Sequence, residues 1–470
     1  MLTLVPGSNI QLVVASDLTV RSRHIKDYIA WVVTAGCKLT FPSGTRDNAH
    51  QPVRIVNTSA SPVGLVFSTT SYEVVQPGQT VDVMCVRQAT GTFVWTMLNS
   101  TMPDDKWCTW TPTVTQTGGP ATVTTVARYK IVDGLCLFDI HISTADGAGT
   151  TAITITPPVV PSDTNSYWAC QGTAIVAGTA TDALGWIDCL HDTYANRLIQ
   201  FRALPAFTDD AACSLHVSGF YETSGFDVWT STLAYTGGSP TMGAQVGRYK
   251  VIDGLCFFNL YLSDTDPDGV ATAMTATLPV EPAHLDVNIP VHAVELQNAT
   301  YSNPVVYIDT TQATAASRVL TTNKLDALVD GEAIQLYISG CYPVAGSSYG
   351  SDVPVGTYTT GTPGSAATNF KGATVKSRGF GFICGSTTST DGNGCTAVTV
   401  AIPGLVGKYA ARHIALAAQE LVNATYTNAC GYVNADSTTV SDRATVQFSA
   451  FSTATDAQAW ALRYAGILEL

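Results

Sequence analysis

Gly346-Ser347-Ser348-Tyr349-Gly350 spells G-x-S-x-G, the pattern of a serine nucleophile on a strand-to-helix elbow. An elbow needs a buried strand before the serine and a helix after it. This segment lies in a Gly/Ser-rich run and reads as a linker. Asp264, Asp266 and Asp268 stand in Asp264-Thr265-Asp266-Pro267-Asp268-Gly269, which matches the first half of a calcium loop. The bidentate Glu expected at the end of such a loop is replaced by Thr275. A turn is therefore the favoured reading, with calcium as the alternative. The 8 histidines are scattered, and the 12 cysteines form no C-x-x-C pair, so no zinc site is expected. Asp104-Asp105 and Asp209-Asp210 lie in loop-like contexts. Glycoside hydrolysis needs two carboxylates at a set distance, which spacing along the chain does not encode. With no nucleophile, base and orienting group placed together, the expectation is a protein that is not an enzyme and uses no cofactor.

Binding chemistry has more material. Trp107, Trp110, Trp229, Tyr235, Tyr301, Tyr307, Tyr426 and Tyr432 recur near the starts and middles of what prove to be repeated units. Aromatic rings stack on sugars and anchor interfaces, and they also fill sandwich cores. Tyr301, Tyr307, Tyr426 and Tyr432 are the candidate binding aromatics. Arg21-Ser22-Arg23-His24-Ile25-Lys26 is the one basic cluster, and it reads as a solvated face or a docking contact.

The elements that must hold these residues follow from composition. Charged residues make up 13% of the 470-residue chain, against about 25% in a typical soluble domain. Thr and Val, which favour strands, take their place. The net charge of −13 argues against nucleic acid and anionic lipid as partners. No run is long and apolar enough to span a membrane, and the N-terminus lacks the pattern of a secretory signal, so synthesis in a cytoplasm is expected. Most cysteines fall in strand-like runs and read as small buried thiols. Cys384 and Cys395 flank one expected turn and form the alternative, a hairpin disulfide.

Three segments share ordered landmarks. Tyr129-Lys130-Ile131-Val132-Asp133-Gly134-Leu135-Cys136 matches Tyr249-Lys250-Val251-Ile252-Asp253-Gly254-Leu255-Cys256, and a third, more diverged copy surrounds Gly379. Each is read as an apolar strand containing a glycine. Asp146-Gly147, Asp268-Gly269 and Asp391-Gly392 read as hairpin turns. Alternating strands then close on Pro157, Pro279 and Pro403. Asn298-Ala299-Thr300-Tyr301 matches Asn423-Ala424-Thr425-Tyr426. Leu215 to Tyr221, Leu336 to Tyr342 and Leu462 to Leu468 form a shared closing strand. The fold expected is all-β: an N-terminal β domain (1–104) followed by three tandem jelly-roll-like β-sandwich domains (105–224, 225–348 and 349–470), the last a possible distal binding domain. Ala410 to Val422 is the best candidate for a helix.

The unit running from Trp110-Thr111-Pro112 through Pro157, and again from Trp229-Thr230 through Pro279, resembles domains of tailed-bacteriophage fibres and other virion surface proteins. Phe41-Pro42-Ser43-Gly44, Arg54-Ile55-Val56-Asn57-Thr58 and Val75-Gln76-Pro77-Gly78-Gln79 look similar to phage structural β domains. The resemblance covers about the first 280 residues best, and no functional residues come with it. It implies a virion component, commonly a homotrimer, that contacts tail or capsid proteins. The leading expectation is a tail fibre or spike that attaches to a host surface glycan or protein through many avid contacts. A head fibre or head decoration protein on the capsid exterior is the alternative. A long parallel β-helix repeat, the usual mark of a glycan-degrading spike, is not evident in the sequence.

Overall fold

The computed structural model describes residues 11–469 apart from intervening segments, the longest being 325–331, 348–354, 359–368, 390–397, 402–412, 435–444 and 451–459. The named elements are strands, with one short 3-10 turn at Ala315–Ser317. The chain forms two compact units: Met1–Cys108 with Lys130–Cys136, and Thr109–Tyr129 with Leu137–Leu470.

The first unit holds β1 (Gln11–Val14), β2 (Leu18–Thr19), β3 (Ala30–Val33), β4 (Lys38–Thr40), β5 (Val53–Asn57), β6 (Val63–Val66), β7 (Tyr72–Val75), β8 (Thr80–Arg87) and β9 (Phe93–Thr101). Its start was not anticipated. β1, β3 and β5 pair in parallel, and so do β2, β4 and β6. Each rung gives one strand to each of two sheets, with register partners roughly 20–25 residues apart, as in a short β-solenoid. Leu12, Trp31 and Ile55 stack in one ladder, and Leu18, Leu39 and Leu65 in the other. Thr34 and Thr58 repeat one device at the corner between sheets. The backbone N–H and Oγ1 of each donate to the carbonyl of the rung before, Val14 and Val33 respectively. Antiparallel β7, β8 and β9 end the stack. Phe41, at the centre of the core, contacts the rings of Trp31, Phe67 and Trp95, and Trp95 Nε1 donates to the Pro42 carbonyl at 2.8 Å. A single-rung motif this short carries little self-similarity, which is why the sequence suggested only "small β domain".

Three packets of antiparallel strands follow. Repeat 1 has β10 (Cys108–Thr109), β11 (Val114–Thr117), β12 (Thr124–Val132), β13 (Leu135–Thr144), β14 (Ala152–Ile155), β15 (Tyr167–Val176), β16 (Thr179–Asp188), β17 (Ile199–Arg202) and β18 (Cys213–Glu222). Repeat 2 has β19 (Asp227–Trp229), β20 (Leu233–Thr236), β21 (Ala244–Ile252), β22 (Leu255–Asp264), β23 (Ala273–Ala276), β24 (Asn288–Pro290), β25 (His292–Gln297), β26 (Thr300–Ser302), β27 (Val305–Asp309), β28 (Leu320–Lys324) and β29 (Ile334–Pro343). Repeat 3 has β30 (Val355–Tyr358), β31 (Asn369–Ser377), β32 (Phe380–Ser389), β33 (Val398–Ala401), β34 (His413–Val422), β35 (Thr425–Asn428), β36 (Cys430–Asn434), β37 (Thr445–Ala450) and β38 (Trp460–Glu469).

All three share one pairing scheme. One layer runs β12-β13-β18-β15, β21-β22-β29-β25 and β31-β32-β38-β34. The other runs β16-β17-β14-β11, β27-β28-β23-β20 and β36-β37-β33-β30. The register makes Gln171, His292 and Ala417 equivalent, because each faces the matching closing-strand residue Ser218, Ser339 or Ala465. The result is an all-β, sandwich-like, multi-packet fold.

Three sequence expectations are corrected. The Asp-Gly turn at Asp146-Gly147 is not a hairpin, since β13 and β14 do not pair; nor do β22 and β23, or β32 and β33, although Asp268-Gly269 and Asp391-Gly392 themselves lie outside the described residues. Those connections pass between layers. The tight hairpin lies at the glycine taken for a mid-strand residue. Asp253 and Gly254 have φ of 48° and 81°, a two-residue turn with both φ positive between Ile252 and Leu255. Asp133 and Gly134 repeat it with 49° and 81°. The candidate helix is strand β34. Ile414, Leu416 and Ala418 face the core of repeat 3, while Ala415, Ala417 and Gln419 are buried on the opposite face. A strand buried on both faces reads as a continuous apolar run, which periodicity alone does not distinguish from a helix. What covers the second face is a neighbouring repeat.

Candidate functional site: the three seams between repeats

The repeats close on one another in a cycle. β15 of repeat 1 lies against β29 of repeat 2, β24 of repeat 2 against β38 of repeat 3, and β34 of repeat 3 against β18 of repeat 1. Each seam uses the same two surfaces, so the contact is head-to-tail and closes after three members. Two repeated polar devices pin it.

The first is an ion pair from the end of a closing strand to the first long strand of the next repeat, β21 or β12. Glu222 accepts from Arg248 Nη2 at 2.6 Å and Nε at 2.9 Å across the first seam. Glu469 accepts from Arg128 Nη1 at 2.5 Å across the third. Both carboxylates are almost wholly buried, at 2% and 1% exposure. At the second seam the equivalent residues are Pro343 and Ala373, so both charges are missing together. The second device is a serine. The Ala169 N–H donates to Ser339 Oγ at 2.9 Å across the first seam. Ser218 Oγ donates to the Ala415 carbonyl at 2.5 Å across the third. The second seam has Pro290, which has no N–H, and Ala465, which has no hydroxyl. Half a device would leave a buried polar group unsatisfied, so the partners disappear together.

Above these pins, each seam carries its own side chains at matched positions. In the first, Tyr167 and Trp186 of repeat 1 meet Val246, Tyr261 and Tyr337 of repeat 2, with Tyr301 closing the cluster. Tyr301 stacks on Trp186 at 4.9 Å and 19°, and Tyr337 lies 4.7 Å from Tyr167. Buried Asn259 ties this seam further. Oriented so that its amide nitrogen donates to the Tyr167 carbonyl at 2.9 Å, its oxygen accepts from Ser166 Oγ at 3.2 Å. In the third seam the positions of Tyr261 and Tyr337 are His141 and His216, whose rings stack at 4.4 Å. In the second they are Ser386 and Arg463, Val246 becomes Lys371, Tyr167 becomes Asn288 and Trp186 becomes Tyr307. Arg463 sits over the Tyr307 ring at 5.1 Å. Asn288, with its nitrogen donating to Asp309 Oδ1 at 3.1 Å, accepts from both Arg463 terminal nitrogens at 3.1 and 3.2 Å. A cleft of 290 Å³ opens there.

Of the four candidate aromatics, Tyr301 and Tyr307 are thus seam residues, packed between repeats. Tyr432 is the equivalent of Trp186 and Tyr307 and is half-buried. Tyr426 lies on β35 opposite Leu421, and its side chain is outside the described residues. Trp107 and Trp229 are buried, and Trp110 packs edge-on against Tyr129 at 5.9 Å. Asp264 ends β22, opposite Ile334; Asp266 and Asp268 lie outside the described residues. So do Ser348, Cys395, Asp104-Asp105 and Asp209-Asp210. Cys384 is a free, buried thiol. Burial pushes Cys256 and Cys384 up to about 12, which leaves them protonated and unreactive at neutral pH. Among the described residues, no group of three or more His, Cys, Asp and Glu gathers to hold a metal. Lys371 and Arg463 were not anticipated. The signal was available in the closing-strand landmark, where one outward position changes from His216 to Tyr337 to Arg463.

Burial also pushes the His292 imidazole down to about 4. An unfolded histidine titrates near 6.5, so the native state disfavours the proton. This group therefore stabilises the fold above about pH 6.5, and that contribution, up to roughly 3 kcal/mol, is lost as pH falls toward 4. His292→Gln, which installs the residue repeat 1 carries at Gln171, is expected to flatten the acid limb of stability against pH. Urea midpoints compared between pH 7 and pH 4.5 check this; an unchanged slope rules His292 out as the source.

No family model, no curated protein and no solved structure matches this chain.

Proposed function

We propose that the chain is a bacteriophage virion surface protein, a tail fibre or spike whose N-terminal unit docks on the particle and whose three repeats engage the host surface. The observation that supports this most is the closed cycle of seams. Head-to-tail contacts that close after three members are what a threefold assembly makes from three chains. Here one chain supplies all three members, which frees each seam to carry different chemistry while the pins keep the ring shut. Weak contacts at several such positions act together when many copies sit on one particle. The homotrimer implied by the family resemblance then forms between whole chains on the particle, and is not needed to complete the ring.

The test is negative-stain imaging of phage particles labelled with an antibody to the third repeat. Label at the tail is expected. Label over the head replaces attachment with capsid decoration. No label on any particle overturns the virion reading.

A further inference from the structure

We propose that the second seam is a binding site for an acidic, hydroxyl-rich ligand, a sugar acid of a surface glycan; this deepens the attachment reading and rests on it. The argument begins with the comparison of matched positions. At the first seam, Val246, Tyr261 and Tyr337 meet Tyr167 and Trp186 and fill the space. At the second, the same positions hold Lys371, Ser386 and Arg463 against Asn288 and Tyr307, and the space stays open. Its 290 Å³ falls just below the range of drug-sized ligand sites, about 300–1,000 Å³, and suits a ligand the size of one sugar residue.

The lining sets the class of ligand. Asn288, Thr311, Ser386 and Thr388 offer short polar groups suited to hydroxyls, Lys371 and Arg463 add two cations, and Val287, Leu421 and Ala461 supply an apolar wall of the kind the C–H face of a sugar ring packs against. Asp286 is the opposing charge, 3.7 Å from Lys371 Nζ. That pair is mostly solvent-exposed, at 51% and 67%, so it contributes little and its lysine can exchange Asp286 for a ligand carboxylate. Arg463 is different. Tyr307 beneath it and Asn288 beside it fix its guanidinium in place before any ligand arrives. The seam that lacks both structural pins is the one that carries this lining. Relief from a purely structural task at these positions is what a binding site requires.

The experiment titrates the full-length chain with glucuronic acid, glucose and inorganic phosphate by isothermal calorimetry. Glucuronic acid is expected to bind at least tenfold more tightly than glucose or phosphate. Lys371→Met is expected to weaken it at least tenfold. Ser386→Tyr restores the aromatic that the first seam carries at Tyr261, and is expected to abolish binding while leaving the urea midpoint unchanged or higher. Equal binding of all three probes overturns the proposal, as does undiminished binding by both variants. Absence of binding with particles still labelled at the tail refutes this site and leaves attachment standing.

Discussion

Replacing Arg128 by alanine should destabilise the three-repeat unit by about 3–5 kcal/mol, because it strands the buried Glu469 carboxylate without its partner. Arg128 belongs to the first repeat and Glu469 to the last strand of the third, so the pair closes the cycle between the most distant parts of the chain. The loss should be recovered in large part by removing the second charge as well. The protein already holds that experiment at its second seam, where Ala373 and Pro343 replace both members and the strands still meet. Urea unfolding of the wild type, Arg128→Ala, Glu469→Ala and the double variant gives the coupling directly. A double variant as unstable as the sum of the two singles would show that the pair does not act as a unit.

The sequence made the repetition plain but left its geometry hidden, and particular residues show why. Strand ends announce themselves through Pro157, Pro279 and their kin, because proline stops a ladder wherever it sits. Asp-Gly is a weaker guide. Asp133-Gly134 and Asp253-Gly254 make the tight hairpin, whereas Asp146-Gly147 lies in a connection that crosses between layers. Nothing local separates the two. Gly340 shows the same limit from the packing side. A Cβ there would meet Val291 at 2.5 Å and Phe258 at 2.7 Å, and one at Gly219 would meet Cys170 and Phe138 below 3.0 Å. Close approach of the closing strand to a buried side chain, a phenylalanine ring at Gly219 and Gly340 and Leu416 at Gly466, explains the recurring glycine, yet only the fold reveals that neighbour.

The candidate site was partly legible for the same reason. Tyr301 and Tyr307 stand out because aromatics in a repeated motif are conspicuous. Their partners Trp186 and Arg463 lie 115 and 156 residues away, and only the strand register brings them together. The double burial of β34 is the clearest case. Its apolar run looked like a helix because the surface that covers its second face belongs to another repeat.

Matched positions also predict unequal energies, which separates a seam that holds the ring shut from one that has changed its task. Tyr337→Ala should cost about 3–5 kcal/mol, since it removes a buried ring from among Tyr167, Tyr261 and Trp186. Arg463→Ala, at the equivalent place in the third repeat, should cost about 0.5–2 kcal/mol. It removes a half-buried cation that sits over the Tyr307 ring and donates to the Asn288 amide oxygen, which water can satisfy instead. Urea midpoints of the two variants, with hydrogen exchange of the β29 and β38 amides to locate the opening, test the contrast. Equal costs would mean that the second seam still carries its full structural load. Loss of exchange protection confined to β29 in Tyr337→Ala, with β38 unchanged in Arg463→Ala, would mean that the aromatic seam and the pinned third seam hold the ring shut, leaving the polar one free to meet a ligand.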